Sequence, residues 1–280
     1  MNMIDNRTIN EWKIAYYVRI LTFHLQHQYW ILPLITGLML IGSLSICYYI
    51  VVFVNGAWPV KLISDMGALQ PVAGYYAQTL DILAIMFLLI AWIRYSYKQI
   101  NYYIVFMIPN STNKQVNNNF MLDMMQRKNF QSFICVIIGA IGFEIVGNFR
   151  LNEHLIMHGI GMLLLLFNIP YKYQQKFMME KFYECDRIES RPLFWSILTH
   201  VELMSWIICI ASTAIACWNT GHIDQWLHHE TRMNWQPDVA GFNWFVIAVL
   251  VEWNVCFMFT GMLFSLSHRM YRFKQWNHVF

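Results

Sequence analysis

The stretch WILPLITGLMLIGSLSICYYIVVFV, Trp30 to Val54, contains no Asp, Glu, Lys or Arg. A helix needs roughly 17 to 25 predominantly apolar residues to cross a bilayer, and this run supplies them without interruption. Five further runs of the same kind follow: Tyr75 to Ile93, Phe130 to Ile145, His154 to Ile169, Phe194 to Cys217 and Gly241 to Ser267. The fourth is near the minimum length, because Arg150, Glu153 and His154 crowd its start and Pro170 is expected to end it. None of the six alternates apolar and polar residues as a membrane strand does, so a closed barrel is excluded and helices must satisfy the backbone in lipid. The fold class expected is all-α: a polytopic membrane protein with six transmembrane helices in one bundle.

Composition agrees with that class. Of the 280 residues 58% are hydrophobic and only 12% charged, with 18 Met and 12 Trp, where ordinary soluble domains carry roughly 25% charged residues. The domain division expected is an N-terminal segment 1–29, a membrane domain 30–267 and a tail 268–280. Sixteen of the 19 Lys and Arg fall in 1–29, 94–129, 170–193 and 268–280, and only Lys61, Arg150 and Arg232 fall on the other side. By the positive-inside rule both termini are then cytosolic and the loop Leu62 to Tyr76 is lumenal or extracellular. This asymmetry accounts for the net charge of +3 and no nucleic-acid partner is implied.

The ends and loops add less. The first 29 residues lack the short apolar core and small-residue site of a cleavable signal, so the first helix is expected to act as an uncleaved anchor. The aromatic stretch KIAYYVRILTFHLQHQYW, Lys13 to Trp30, suits a helix lying in the cytosolic interface. NSTNKQVNNNF, Asn110 to Phe120, is expected to be a flexible loop. YKYQQKFMMEKFYECDRIESRP, Tyr171 to Pro192, reads as a solvated connector with basic residues that can meet anionic headgroups. Partners are therefore expected to be membrane lipids, and cytosolic proteins through 94–129 and 170–193. Cys47, Cys135, Cys209, Cys217 and Cys256 lie in or beside spans and Cys185 on the cytosolic side, so no disulfide framework is expected. Asn6 and Asn110 head glycosylation sequons on the cytosolic side and are expected to stay unmodified.

Ionisable residues inside the spans are costly and point inward by default. They are Asp81, Glu144, His158, His200, Glu202 and Glu252. At about 1.5 Å rise per residue, Asp81, Glu144 and His158 lie at one depth near the lumenal boundary. They are expected to share a lumen-facing polar pocket, with interhelical hydrogen bonding as the plainer alternative. His200 and Glu202 read as a structural pair, and Glu252 as a residue that ties the last helix to its neighbours. In GHIDQWLHHE, His222, Asp224, His228, His229 and Glu230 offer zinc-binding groups, but adjacent His228 and His229 point apart and no HExxH spacing occurs. No metal site, cofactor or catalytic machinery is expected.

Between the first two spans lies ISDMGALQP, Ile63 to Pro71. A plain hairpin connector has no need of Ser64, Asp65, Gly67 and Pro71 together. Ser64 and Asp65 favour side-chain turns, Gly67 can take a positive φ and Pro71 stiffens the approach to the second helix, so a structured lid is expected here. Together with Gly74, Asp81, Arg94 and Tyr95 the string resembles the damage-regulated autophagy modulator (DRAM) family, which has Ile-Ser-Asp-x-Gly followed by a Pro pair in this loop. GNFRLNEHLIMHGIGMLLLLF, Gly147 to Phe167, resembles its Asn-Phe turn, here Asn148 and Phe149, and the His-bearing helix that follows. NWQPDVAGFNWFVIAVLVEWNVCFMF, Asn234 to Phe259, resembles its Trp-x-Pro loop, with Pro237, and its Glu-Trp pair, here Glu252 and Trp253. Gln70 replaces the first Pro, Val72 and Gly159 stand where acids are common, and Asp81 where Asn is common.

The resemblance implies a non-enzymatic, multi-pass protein of lysosomal or other endomembranes that modulates autophagy through lipid or protein contacts. The wider superfamily, by the same resemblance, implies two alternatives: a plasma-membrane scaffold for a phosphatidylinositol 4-kinase complex, or a Golgi factor in lipid remodelling of GPI anchors.

Overall fold

The structure is a computed structural model and describes residues 28–95, 115–186, 192–220, 232 and 235–272. The aromatic stretch before Gln28, residues 110–114 of the Asn-rich segment, the sequons, the loop His222 to Glu230 and the tail beyond Arg272 lie outside the described residues.

Helix α1 (Ile31–Tyr49) begins with Pro33 in its first turn, where the missing N–H has no intrahelical acceptor to lose. It loosens into a π-helical turn, Ile50–Val54, in which the Asn55 amide reaches back to the Ile50 carbonyl at 2.9 Å. Gly56, at φ +69°, then turns the chain into the loop that holds the short helix α2 (Ile63–Met66). The long helices α3 (Val72–Tyr95) and α4 (Gln115–Asn148) follow. After them come α5 (Leu155–Leu165), α6 (Asn168–Asp186), α7 (Leu193–Asn219) and α8 (Phe242–Arg272).

Six segments are long and apolar enough to cross a membrane: Ile31–Val54, Val72–Tyr95, Asp123–Asn148, Leu155–Lys181, Leu193–Asn219 and Phe242–Arg272. Neighbours pack in a closed ring, α1 on α3, α3 on α4, α4 on α5 and α6, α6 on α7, α7 on α8 and α8 back on α1. Ser267 donates to the Trp30 carbonyl at 2.7 Å and Trp30 meets Tyr271 edge-on at 5.2 Å, so the two ends of the domain meet at one face. That face is the termini end here, and the opposite one, which carries α2, is the cap end. Outward side chains such as Ile46, Ile85, Trp92, Ile207 and Leu250 are exposed and apolar, as a bundle solvated by hydrocarbon requires.

Pro170 does not end the fourth crossing. It sits in the first turn of α6, and the break falls before it. The amides of Leu166, Phe167 and Ile169 bond three residues back, at 3.2, 3.1 and 3.0 Å. Pro170 has no N–H for the Leu166 carbonyl and its ring crowds that oxygen, so the chain tightens for one turn and then resumes. Tyr171, Lys172 and Gln175, assigned by sequence to a solvated connector, are consequently buried helical residues. Gln115 to Phe120 likewise belong to α4 and not to a flexible loop. At about 1.5 Å per residue α4 is some 50 Å long, more than a ~30 Å hydrocarbon core, so it projects beyond the bilayer at the termini end.

The core is aromatic at its centre. Phe259 packs edge-on against Phe87 at 5.3 Å and Phe143 at 5.7 Å, and Phe87 against Tyr171 at 5.5 Å. Where α4 crosses α5, a Cβ on Gly142 would meet the Leu165 amide nitrogen and the Gly161 carbonyl, and one on Gly161 would meet Val146. Small residues let these backbones touch, the usual device of helix pairs in lipid.

Candidate functional site

The ISD segment is the most heavily tied part of the cap end. Ile63, Ser64, Asp65 and Met66 form α2 and all four are buried. The Ile63 amide donates to Glu252 Oε2 of α8 at 2.7 Å, and Ser64 adds its own amide and hydroxyl to the same carboxylate. A carboxylate at the start of a helix satisfies amides that have no intrahelical partner and meets the positive end of the helix dipole. Asp65, one residue on, takes the Nε of Arg232 at 3.1 Å, with both side chains fully buried. Trp253 Nε1 donates to the Lys61 carbonyl at 3.3 Å and the Tyr48 hydroxyl to the Pro59 carbonyl at 3.1 Å. The loop is thus fastened to α1, to α8 and to the segment that precedes α8.

Gly67 does not have the positive φ that sequence suggested. Its φ is −64°, and positive φ occurs instead at Gly56 and Gly241. Gly67 is required for space, since a Cβ there would run into the ring of Tyr76. Ser64 and Asp65 likewise spend their side chains on α8 and Arg232 and not on local turns. Gly67→Val is therefore expected to destabilise the protein by about 1–3 kcal/mol through overpacking. Gly74→Val, at an exposed position with open space around it, should change the thermal midpoint in detergent far less. Equal midpoints for the two variants would remove the packing role.

Lys61 and Arg232, two of the three basic residues on this side of the sequence, were read only as topology markers, yet both are fully buried. Burial pushes the Lys61 ammonium down to about 8, against the opposing pull of Asp65. Between pH 8 and the ordinary Lys value near 10.5 the unfolded chain binds more protons than the folded one, so Lys61 makes stability rise with pH across that window. Denaturant titrations at pH 7.5 and 9.5 should show this increment in the wild type and lack it in Lys61→Met.

The three residues expected to share one pocket are divided. Asp81 and Glu144 do meet, with Asn148 Nδ2 donating to Asp81 Oδ1 at 2.9 Å and to the Glu144 carbonyl at 2.9 Å. Glu144 and Asn148 are exposed, on the outer side of α3 and α4. His158 is elsewhere. It is buried, its Nδ1 donates to the Phe149 carbonyl at 2.8 Å, and its ring lies in the field of Asp65 and Arg232. The face of α4 explains the separation: Phe143, Val146 and Gly147 take the inward side, which turns Glu144 outward at about 100° per residue.

A second buried polar cluster lies toward the termini end. Glu202 does not pair with His200, which is exposed and bonds the Ser196 carbonyl. Glu202 instead forms a buried ion pair with Lys172 of α6, whose ammonium also stands 5.0 Å over the Phe259 ring. Arg94, the last-turn Arg of α3, is buried and bonds Gln175 at 3.5 Å, and Gln175 bonds Ser132 at 2.7 Å. Sequence hides Lys172 because Pro170 reads as a helix stop. Pro237 is exposed in the turn before α8, while Trp235, two residues earlier, is buried and stacks on Phe245 at 4.8 Å.

Between the two clusters lies a cavity of about 90 Å³. Glu252 and Ile63 border it at the cap end, and Glu202 and Asn168 at the other.

No solved structure matches the chain. The chain is 21% identical over 204 residues to "DNA damage-regulated autophagy modulator protein 2" of Rattus norvegicus, covering 72% of this chain and 68% of the rat protein. The Frag1/DRAM/Sfk1/Cwh43P N-terminal domain matches residues 28–271, from the turn before α1 to the last turn of α8. With its six crossings, its buried ISD segment and a match that spans the whole described bundle, the chain belongs to the Frag1/DRAM/Sfk1 family.

Proposed function

We propose that this protein is a multi-pass protein of lysosomal or related endomembranes that modulates autophagy through lipid and protein contacts and not by catalysis. The observation that carries the reading is a coincidence of motif and architecture. The ISD segment, which carries the resemblance to autophagy modulators, is also the segment fastened by Glu252 and Arg232 over the bundle. The name of the rat relative supports the autophagy assignment. The excess of Lys and Arg outside the crossings on the side of the termini supports a cytosolic location for both termini, with the parts of 94–129 and 170–193 outside the crossing segments, 96–122 and 182–192, as the contact regions for cytosolic partners and anionic lipid.

The test is a cell line in which the protein is deleted and restored with a fluorescent tag at the C-terminus. Lysosomal fluorescence, a tag accessible from the cytosol and a change in autophagic flux that restoration reverses are the expected results. Cell-surface or Golgi residence with unaltered flux would overturn the reading in favour of a lipid-kinase scaffold or a GPI-remodelling factor.

A further inference from the structure

We propose that the central cavity holds an acyl chain of a bilayer lipid, which enters sideways between α5 and α7. This deepens the lipid-contact reading above and rests on it. All six crossing segments contribute to the wall, which is built mainly from side chains such as Leu40, Leu44, Leu80, Phe143, Val255 and Phe259. The carboxylates at the two ends already have partners, Glu252 in the amides of α2 and Glu202 in Lys172. What remains for an occupant is mainly hydrocarbon surface, with the buried Asn168 Oδ1 an unpartnered polar atom at the termini end, and a cavity walled mainly by hydrocarbon takes apolar ligands.

The helix ring supplies the entrance. Helix α5 packs mainly on α4, while α7 packs mainly on α8 and more lightly on α6; among the described residues α5 and α7 are in at most slight contact. The break before Pro170 separates α5 from α6 at this point. Met162 and Leu165 of α5 face Trp206 and Cys209 of α7 across the cavity, all four half-buried. These positions lie well inside the crossing segments Leu155–Lys181 and Leu193–Asn219, so the medium outside the gap is lipid chains and not water. The cavity borders Glu202 to Cys209 on α7 and Glu252 to Phe259 on α8, a depth of about 10 Å at 1.5 Å per residue. That matches a segment of an extended alkyl chain.

The full chain is reconstituted in phosphatidylcholine vesicles doped with a phosphatidylcholine that carries a diazirine in one acyl chain, and a parallel sample receives diazirine-bearing palmitate. After illumination the labelled residues are mapped by mass spectrometry. Labelling is expected on inward residues, Met162, Trp206 and Val255, as well as on outward ones. Inward labelling from the phospholipid supports the proposal, and inward labelling from palmitate alone identifies a free fatty acid and overturns the bilayer lipid as the occupant. Cys209→Phe, which places a ring in the cavity, should lower inward labelling about tenfold, whereas Ile208→Phe on the exposed face should not. Wild-type protein labelled only on outward residues in both samples overturns the proposal, and this outcome does not depend on how Cys209→Phe folds. Restored to cells, a folded Cys209→Phe that loses inward labelling with normal autophagic flux keeps the lipid site and overturns its role in autophagy. Altered flux on deletion with no inward labelling does the reverse.

Discussion

Asp65→Asn is expected to cost about 3–5 kcal/mol, because it removes one charge of a fully buried ion pair with Arg232. Both side chains are fully buried, and the Nε bond at 3.1 Å is backed by a second approach to the other carboxylate oxygen at 3.4 Å. A buried charge that loses its counter-ion is far worse than no charge at all. The double variant Asp65→Leu with Arg232→Met, which removes both charges and keeps comparable volume, should therefore recover most of the loss. A double-mutant cycle measured by denaturant titration in detergent checks this. Additive losses would mean that the two residues act separately and that the cap is held by other contacts. Because Asp65 is next to Ser64 and two residues from Ile63, the single variant should also loosen the bonds of α2 to Glu252.

The second large effect is expected at the other end of the cavity. Lys172→Met leaves the Glu202 carboxylate buried without its ammonium and should again cost about 3–5 kcal/mol. The loss of the ammonium over Phe259 contributes a smaller share, about 0.5–2 kcal/mol for a desolvated cation–π contact. The yield of monodisperse protein after detergent extraction should fall sharply, and Glu202→Leu placed on the same background should restore much of it. Lys176, which pairs with the half-exposed Glu180 at 3.8 Å four residues along the same helix, is the control. Lys176→Met should cost no more than about 0.5 kcal/mol, as exposed helix pairs do. If the two Lys variants behave alike, the pair at Lys172 is not buried as described.

The contrast between those two lysines marks what sequence could and could not reach. Both lie in a stretch whose composition reads as a solvated connector, and the stretch begins next to a Pro. Sequence therefore placed them together. Only the packing of α6 against α4 and α7 turns Lys172 inward, buried at 1% exposure, and leaves Lys176 partly in the open.

The same division holds for the cap. The six crossings were legible because a span is a one-dimensional property: enough consecutive apolar residues, few charges, and a backbone that must satisfy itself in lipid. The resemblance in Ile63 to Pro71 was legible because it is a string. What Ser64, Asp65 and Gly67 do was not. Glu252 lies 189 positions from Ile63 and Arg232 lies 167 positions from Asp65, and no local pattern announces pairings at that separation.

Asp81, Glu144 and His158 teach the complementary lesson. Counting residues yields only an expectation of shared depth, and whether they meet depends on the rotation of each helix about its axis, which is set by the neighbours it packs against. The sequence by itself determined the class, the number of crossings and the place of the loop motif Ile63 to Pro71 in the chain, since each follows from local composition and order. The tertiary structure alone decided which ionisable groups are paired, that Gly67 is needed for the ring of Tyr76, and that side chains from all six crossings enclose a central cavity, because each depends on the mutual orientation of segments far apart in the chain.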